Sequence, residues 1–332
     1  MASSKAKFAS GLFVLLVLSV LFFFSHARAA DKLRIGYGAP SVAMSVLWIT
    51  KEAKLFDKNG LDVEVLYLES ALVQRALIAG NIAFGEMTGS LMSAPKLQGA
   101  DLVMVASFLN HLLYRLIARP EIKTIAELKG KRIGVSRFGA GADRATRLLL
   151  SKLGLNPEKD VVLVQVGGAP TRLAALSAST IDATIVEPPD HKKVQEAGMR
   201  VLANMEEMNV PFQHTGLVTT RSYLARAPDM SRRVVKSFVE GIHLATVNSE
   251  IPKQAFRKYM RLQQEREQDD AYQVLRSYLP KKPYPTLEGF KAVFAELAEQ
   301  IPAAKTADPK DFIDTRLLEE LDRSGFIDGL YR

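Results

Sequence analysis

Two glutamates close matching positions in this chain. Glu86 ends the stretch NIAFGE and Glu187 ends DATIVE. Each follows a short apolar run of the kind that forms a buried strand, so each carboxylate is expected beyond a strand end. Carboxylates placed in this way can accept hydrogen bonds from a ligand or work as an acid–base pair. The plainer alternatives are a helix cap or an ion pair between lobes. A third stretch, RIGVSRFGAGADR, joins an apolar run to a glycine-rich turn and a helix-like segment. A dinucleotide fingerprint would need a third glycine where Arg144 stands, and the lysine of a phosphate-binding P-loop is absent. The turn is a ligand cradle or simply a tight turn. Beside it, Arg137 either meets an anion or faces solvent. Phe108 and Phe138 either stack on a ligand or fill a core. Trp48 reads as helix-face packing.

Other chemistries lack the residues they need. His26, His111, His191, His214 and His243 show no metal spacing, and there is no cysteine, so a zinc site is not expected. No serine sits in a G-x-S-x-G elbow, so a nucleophilic triad has no support. No catalytic residue, metal or cofactor is assigned.

The elements that would position these residues occur twice. LRIGYGAP at Leu33 is echoed by KRIGVSRF at Lys131, LDVEVLYL at Leu61 by KDVVLVQV at Lys159, and QRALIAGNIAF at Gln74 by LAALSASTIDA at Leu173. The order is the same and the offset nearly constant, the mark of an internal repeat. Each unit reads strand, helix, strand, helix, strand. The first has strands near 33–38, 61–68 and 82–86 with helices near 43–56 and 71–79. The second has strands near 132–136, 161–166 and 183–186 with helices near 142–153 and 170–177. The apolar runs alternate little, as when helices cover both faces of a parallel sheet. Further strands are expected near 102–107 and 114–118, with a crossing between lobes near 119–124. RVLANM and TGLVTTRSYL read as strands returning to the first lobe. From 228 on the chain reads as mostly helical, a tail packed on lobe one.

In open α/β sheets ligands bind beyond the carboxyl ends of the strands. The loops there give the candidate binding residues: Gly38, Pro40, Ser41 and Met44; Glu69 and Ser70; Glu86, Thr88 and Ser90; Phe108; Arg137, Phe138, Gly139, Ala140 and Gly141; and Glu187. For Glu69 and Asp143, helix capping is the favoured reading. Several of these loops lead into helix N-termini, which favour a polar or anionic group.

The chain has 332 residues and a formal charge of +8. Its cations are interleaved with acids, so nucleic acid is not an expected partner. Lys5 and Lys7 precede an apolar run that ends in SHARAA. This is the layout of a secretory signal peptide, with cleavage expected between Ala29 and Ala30 and a periplasmic destination.

KLFDKNGLDV from Lys54 to Val63, ELKGKRIGV from Glu127 to Val135, RALIAGNIAFGEM and ALSASTIDATIVEPP resemble the solute-binding proteins of nitrate, taurine and sulfonate ABC importers. That group extends to proteins similar to the thiamine-pyrimidine precursor synthases. The resemblance covers about 33–223. It implies a two-lobed α/β periplasmic-binding-protein fold of type II, with each lobe a mostly parallel sheet flanked by helices and a helical C-terminal tail. The expected division is a signal peptide over 1–29, lobe one over 30–120 and 211–332, and lobe two over 121–210. The resemblance also implies a monomer without catalysis that closes on a small solute and delivers it to a membrane permease with its ATPase. The family often has an aromatic residue where Val186 stands, before Glu187 and Pro188, so one aromatic wall is missing here. The synthases rely on a cysteine-rich motif that a chain without cysteine cannot have. A sulfonate or other anion is the favoured solute; the three carboxylates Glu69, Glu86 and Glu187 keep a pyrimidine or amine in play. An exported enzyme using Glu86 and Glu187, or a ligand sensor docking on a membrane receptor, are the readings of a different class.

Overall fold

The computed structural model describes residues 31–332 except 140, 188–193, 206, 209, 210 and 299, and leaves aside the side chains of Asp31 and Ser70. The expected leader and the candidate Ala140 lie outside the described residues, as do Pro188 and His191.

Ten strands form two five-stranded sheets with the same plan. In the first, β1 (Asp31–Tyr37) lies between β2 (Leu61–Tyr67) and β3 (Phe84–Thr88), both parallel to it. An antiparallel strand, β10 (Pro211–Thr220), joins β3 to β4 (Leu102–His111). In the second, β6 (Arg132–Val135) lies between β7 (Val162–Gln165) and β8 (Ala183–Val186). There β5 (Arg115–Ala118) is the antiparallel strand, joining β8 to β9 (Arg200–Asn204). The sequence repeat is thus a repeat of strand order.

The helices of the first unit are α1 (Val46–Glu52), α2 (Leu55–Lys58), α3 (Ser70–Ile78) and α4 (Gly89–Lys96), with a 3₁₀ turn at Val42–Met44 before α1. The single helix expected over 43–56 is therefore broken into three pieces. Lys54, held at a φ of 55°, makes the break between α1 and α2. The second unit carries α5 (Gly141–Lys152) and α6 (Ala169–Ser177). The tail holds α7 (Arg221–Arg226), α8 (Pro228–Val247), α9 (Glu250–Ala255) and a π-helical turn at Phe256–Met260. It continues with α10 (Glu265–Tyr278), α11 (Leu287–Leu297), α12 (Arg316–Arg323) and α13 (Phe326–Leu330).

The repeated Arg-Ile-Gly triplet makes the same close contact in both sheets. Gly36 and Gly134 occupy equivalent positions in β1 and β6. A Cβ on Gly36 would lie 2.9 Å from Ile82 Cδ1, and one on Gly134 would collide with Ile181 Cδ1. Each glycine makes room for the isoleucine that precedes the third strand of its unit. On the other face of the first sheet, Ile35, Phe84 and Val105 share one core with Trp48, Phe56, Phe238 and Leu318. That shared core packs the tail on lobe one.

Two expected placements change. β5 pairs with β8 and β9, so it belongs to the second sheet and the first crossing falls at 112–114, not at 119–124. Of the two strands expected to return, only β10 joins the first sheet; RVLANM pairs with β5 as β9. Local apolar pattern marks a strand but not its partner. The two crossings run side by side: the Met205 amide donates to the Tyr114 carbonyl at 3.0 Å, and Pro211 pairs with His111.

Helix α8 crosses α1 at Gly241, where a Cβ would drive into the Thr50 side chain and come within 3.5 Å of its Cα. Thr50 is pinned, its hydroxyl donating to the Val46 carbonyl at 2.7 Å. Alanine would gain about 1 kcal/mol of helix propensity, but overpacking costs about 1–3 kcal/mol. Gly241→Ala is therefore expected to lower the melting temperature by a few degrees in a thermal scan. An unchanged or raised value would mean that this crossing is not tightly packed.

Candidate functional site

Parallel pairing sets the carboxyl ends of β1, β2 and β3 on one edge of the first sheet, and those of β6, β7 and β8 on one edge of the second. The crossings leave β4 and enter β10 at that edge of the first sheet, and enter β5 and leave β9 at that edge of the second. The two edges therefore face each other, with the crossings at the base of a cleft. β2 and β7 stand farthest from the crossings and mark its mouth.

At the base, three side chains tie the lobes together. Glu187, just past β8, accepts a hydrogen bond from the Tyr114 hydroxyl, which comes from the first crossing. Its Oε1 lies 3.7 Å from His214 Nε2 on β10. Burial lowers the affinity of His214 for a proton, against the opposing pull of Glu187 and the His111 carbonyl, and its Nδ1 has no hydrogen-bond partner. Burial, then the Glu187 carboxylate, holds the Tyr114 hydroxyl well above its ordinary value. Glu187 is thus engaged between the lobes.

A second tie lies between α4, α5 and α11. Arg144 Nη1 donates to Glu296 Oε1 at 3.0 Å, and Ser90 Oγ donates to Glu296 Oε2 at 3.3 Å. Both ends of the ion pair are largely withdrawn from water. Burial raises the Glu296 carboxyl, and Arg144 opposes that rise. The tail supplies this carboxylate. Arg144 also fastens the glycine-rich turn by donating from Nε to the Gly139 carbonyl at 2.6 Å. Asp143 accepts from the Gly139 amide at 2.8 Å and from Arg147 at 3.0 Å. The turn is a built loop at the start of α5, with Gly139 at a φ of 79°.

The remaining candidates separate into those at the cleft edge and those inside. Phe108 is wholly buried and stacked on Phe238 with ring centroids 5.2 Å apart, so its ligand role is replaced by the core one. Met44 is buried as well. Thr88 caps α4, accepting from the Leu91 amide at 3.2 Å. Glu69 stands at the N-cap of α3, but its side chain makes no capping bond and is exposed. Gly38 and Ser41 lie in the loop after β1, with Pro40 exposed beside Ser41, and Gly141 begins α5. Ser70 begins α3. Arg137 and Phe138 are exposed beyond β6, and Arg137 makes no ion pair among the described residues.

Glu86 is the exception. It pairs in register with Tyr37 and Leu217 near the middle of the first sheet, fully buried under the start of α1. Neither carboxylate oxygen has a hydrogen bond of normal geometry. Burial pushes its proton affinity far up, and the nearby Leu47 amide offsets only part of that rise. Glu86 and Glu187 therefore sit in different lobes against different partners, which is not the arrangement of an acid–base pair.

The sequence reading missed Tyr114, His214, Arg144 and Glu296. Tyr114 carried a usable signal, a polar-tipped ring inside the short segment that crosses between lobes. Glu296 carried none, because its partner lies 152 residues away.

The family described as NMT1/THI5 like matches residues 44–251. A provisionally named binding protein of Brucella abortus is 28% identical over 243 residues, which span 72% of this chain and 75% of that one. The periplasmic aliphatic sulphonate-binding protein SsuA of Escherichia coli superposes with a TM-score of 0.70 at 20% identity, covering 87% of this chain and 99% of that one. The alkanesulfonate-binding protein SsuA of Xanthomonas axonopodis pv. citri, bound to MOPS, gives 0.67 at 21% identity over 87% and 100%.

Two outcomes check this site. Because folding holds Glu86 protonated, wild-type stability falls as pH rises from the ordinary carboxylate range through its raised value. Glu86→Gln removes that loss, so its melting temperature should match wild type near pH 4 and exceed it increasingly toward pH 8. Parallel curves would show that the carboxyl is hydrated. For the interlobe ion pair, Arg144→Ala and Glu296→Ala should each destabilise in urea unfolding. Their double mutant should lose less than the sum by about 0.5–3 kcal/mol; strict additivity would mean the pair does not form.

Proposed function

The chain belongs to the NMT1/THI5-like family and has the two-lobed periplasmic-binding-protein fold, and from that premise we propose that it is the solute-binding component of an ABC importer. It captures a small organic solute in the cleft by hinge closure and presents it to an inner-membrane permease with its ATPase. The observation that carries this reading is the facing of two like-ordered sheet edges across paired crossings. For the lobes to part, the crossings must bend and the ties of Glu187 and of Arg144 to Glu296 must open. The sulphonate-binding neighbours and the uncommitted Arg137 support an anionic solute. Export to the periplasm accords with the signal-like leader. Among the described residues no helix is long and apolar enough to cross a membrane.

Thermal scans against sulfonates, carboxylates, nitrate, amines and pyrimidines test the proposal. A solute at 100 times its dissociation constant should add about 2.7 kcal/mol of stability, and small-angle scattering should show compaction. The compound must be recovered unchanged. Recovery of an altered compound would replace transport by catalysis, and binding without compaction would remove hinge closure.

A further inference from the structure

The solute-binding reading leaves open what kind of body the cleft accepts. Several charged groups at its edges are committed: Glu187 to Tyr114 and His214, Glu296 to Arg144, and Asp143 to Arg147. Two are exposed and make no ion pair among the described residues: the Glu69 carboxylate on the first lobe and the Arg137 cation on the second.

Three large apolar side chains are exposed at the same edges. Tyr67 ends β2 and is 57% exposed, Leu72 in the first turn of α3 is 45% exposed, and Phe138 beyond β6 is 51% exposed. The other exposed large apolar side chains, such as Val162 at the start of β7 and Ile78 at the end of α3, are scattered away from these strand ends. Strand order puts Tyr67 and Phe138 on opposite lobes and on the mouth side of the cleft. Apolar side chains exposed at strand ends that face each other across a cleft point to a binding surface more than scattered exposure does.

Both rings are braced. Tyr67 leans on Tyr37 with centroids 5.4 Å apart, and Tyr37 meets the buried Trp48 edge-on at 5.1 Å. The Phe138 amide donates to Gln165 Oε1 at 3.0 Å, and the Arg147 guanidinium lies 6.0 Å from its ring centroid. Rings held in place before binding lose little freedom on contact. An aryl body also hides more apolar surface against them than a short alkyl chain can.

Resting on the solute-binding reading, we propose that the solute is an aryl carboxylate or aryl sulfonate, its ring held between Tyr67 and Phe138 and its anion by Arg137. The second lobe reads the charge and both lobes read the flat body, so only a closed cleft satisfies the whole ligand.

Calorimetric titration of the purified protein with benzoate, benzenesulfonate, propionate and ethanesulfonate tests this. Each aryl anion should bind at least about tenfold tighter than the alkyl anion with the same head group, about 1.4 kcal/mol. Phe138→Ala and Tyr67→Ala should each erase most of that ratio; both residues are exposed, and melting temperatures will confirm folding. Arg137→Gln should weaken benzoate while leaving the binding of neutral benzamide unchanged. Equal affinity for aryl and alkyl partners, or a ratio that survives both ring deletions, overturns the proposal and leaves solute binding standing. If none of the four anions binds, the aryl-anion proposal falls. The solute-binding reading falls with it only if the wider thermal panel is silent too.

Discussion

The structure depends on one exchange of strands. Each sheet is completed by an antiparallel strand reached through a crossing: β10 lies between β3 and β4, and β5 lies between β8 and β9. Neither is an edge addition. Each hydrogen-bonds a strand on both sides, so removal of β5 or β10 would leave two strands of its sheet without a ladder partner. The lobes are therefore bound covalently and by backbone hydrogen bonding at one end only. Everything at the cleft follows from that. The parallel strands point their carboxyl ends at each other, the crossings form the base, and the edge strands β2 and β7 define the mouth.

The polar groups are arranged around the same geometry. Near the base Glu187 meets Tyr114 and the buried His214, and beside α5 a charge on one lobe is matched by a partner on the other, Arg144 with Glu296. Ion pairs withdrawn from water are costly to break one partner at a time, so these contacts favour one relative placement of the lobes. Toward the mouth the character changes to exposed rings, the Glu69 carboxylate and a cation, Arg137, that makes no ion pair among the described residues. Glu86 belongs to neither set. It is a carboxyl enclosed in a core, where burial favours the protonated acid because the nearby Leu47 amide compensates only part of the charged form's loss of water.

Much of the fold was legible in the sequence, and the reasons are local. The repeated strand–helix–strand pattern, with glycine at 36 and 134 and isoleucine at 82 and 181, marks two equivalent units because close packing of helix on sheet demands it. Sheet membership was not legible for β5 and β9, since their apolar runs fit either lobe and the pairing partners are distant in sequence. The strand-end loops could be located from pattern alone. Which way their side chains turn could not, and Phe108 shows why: β4 is buried on both faces, so an aromatic residue near its end points into the core. Tyr114 and Glu296 acquire their roles only from contacts between lobes, which no local window contains.

The placement of β10 also dictates an order of assembly. The second sheet is built wholly from residues between Arg115 and Asn204, so it can close as soon as that stretch is available. The first sheet cannot: β3 and β4 are made early but have no direct pairing, and they must wait for residues 211–220 to be laid between them. The first sheet thus stays open until the chain through residue 220, about two thirds of its length, is available. The sheet begun first is the sheet finished last.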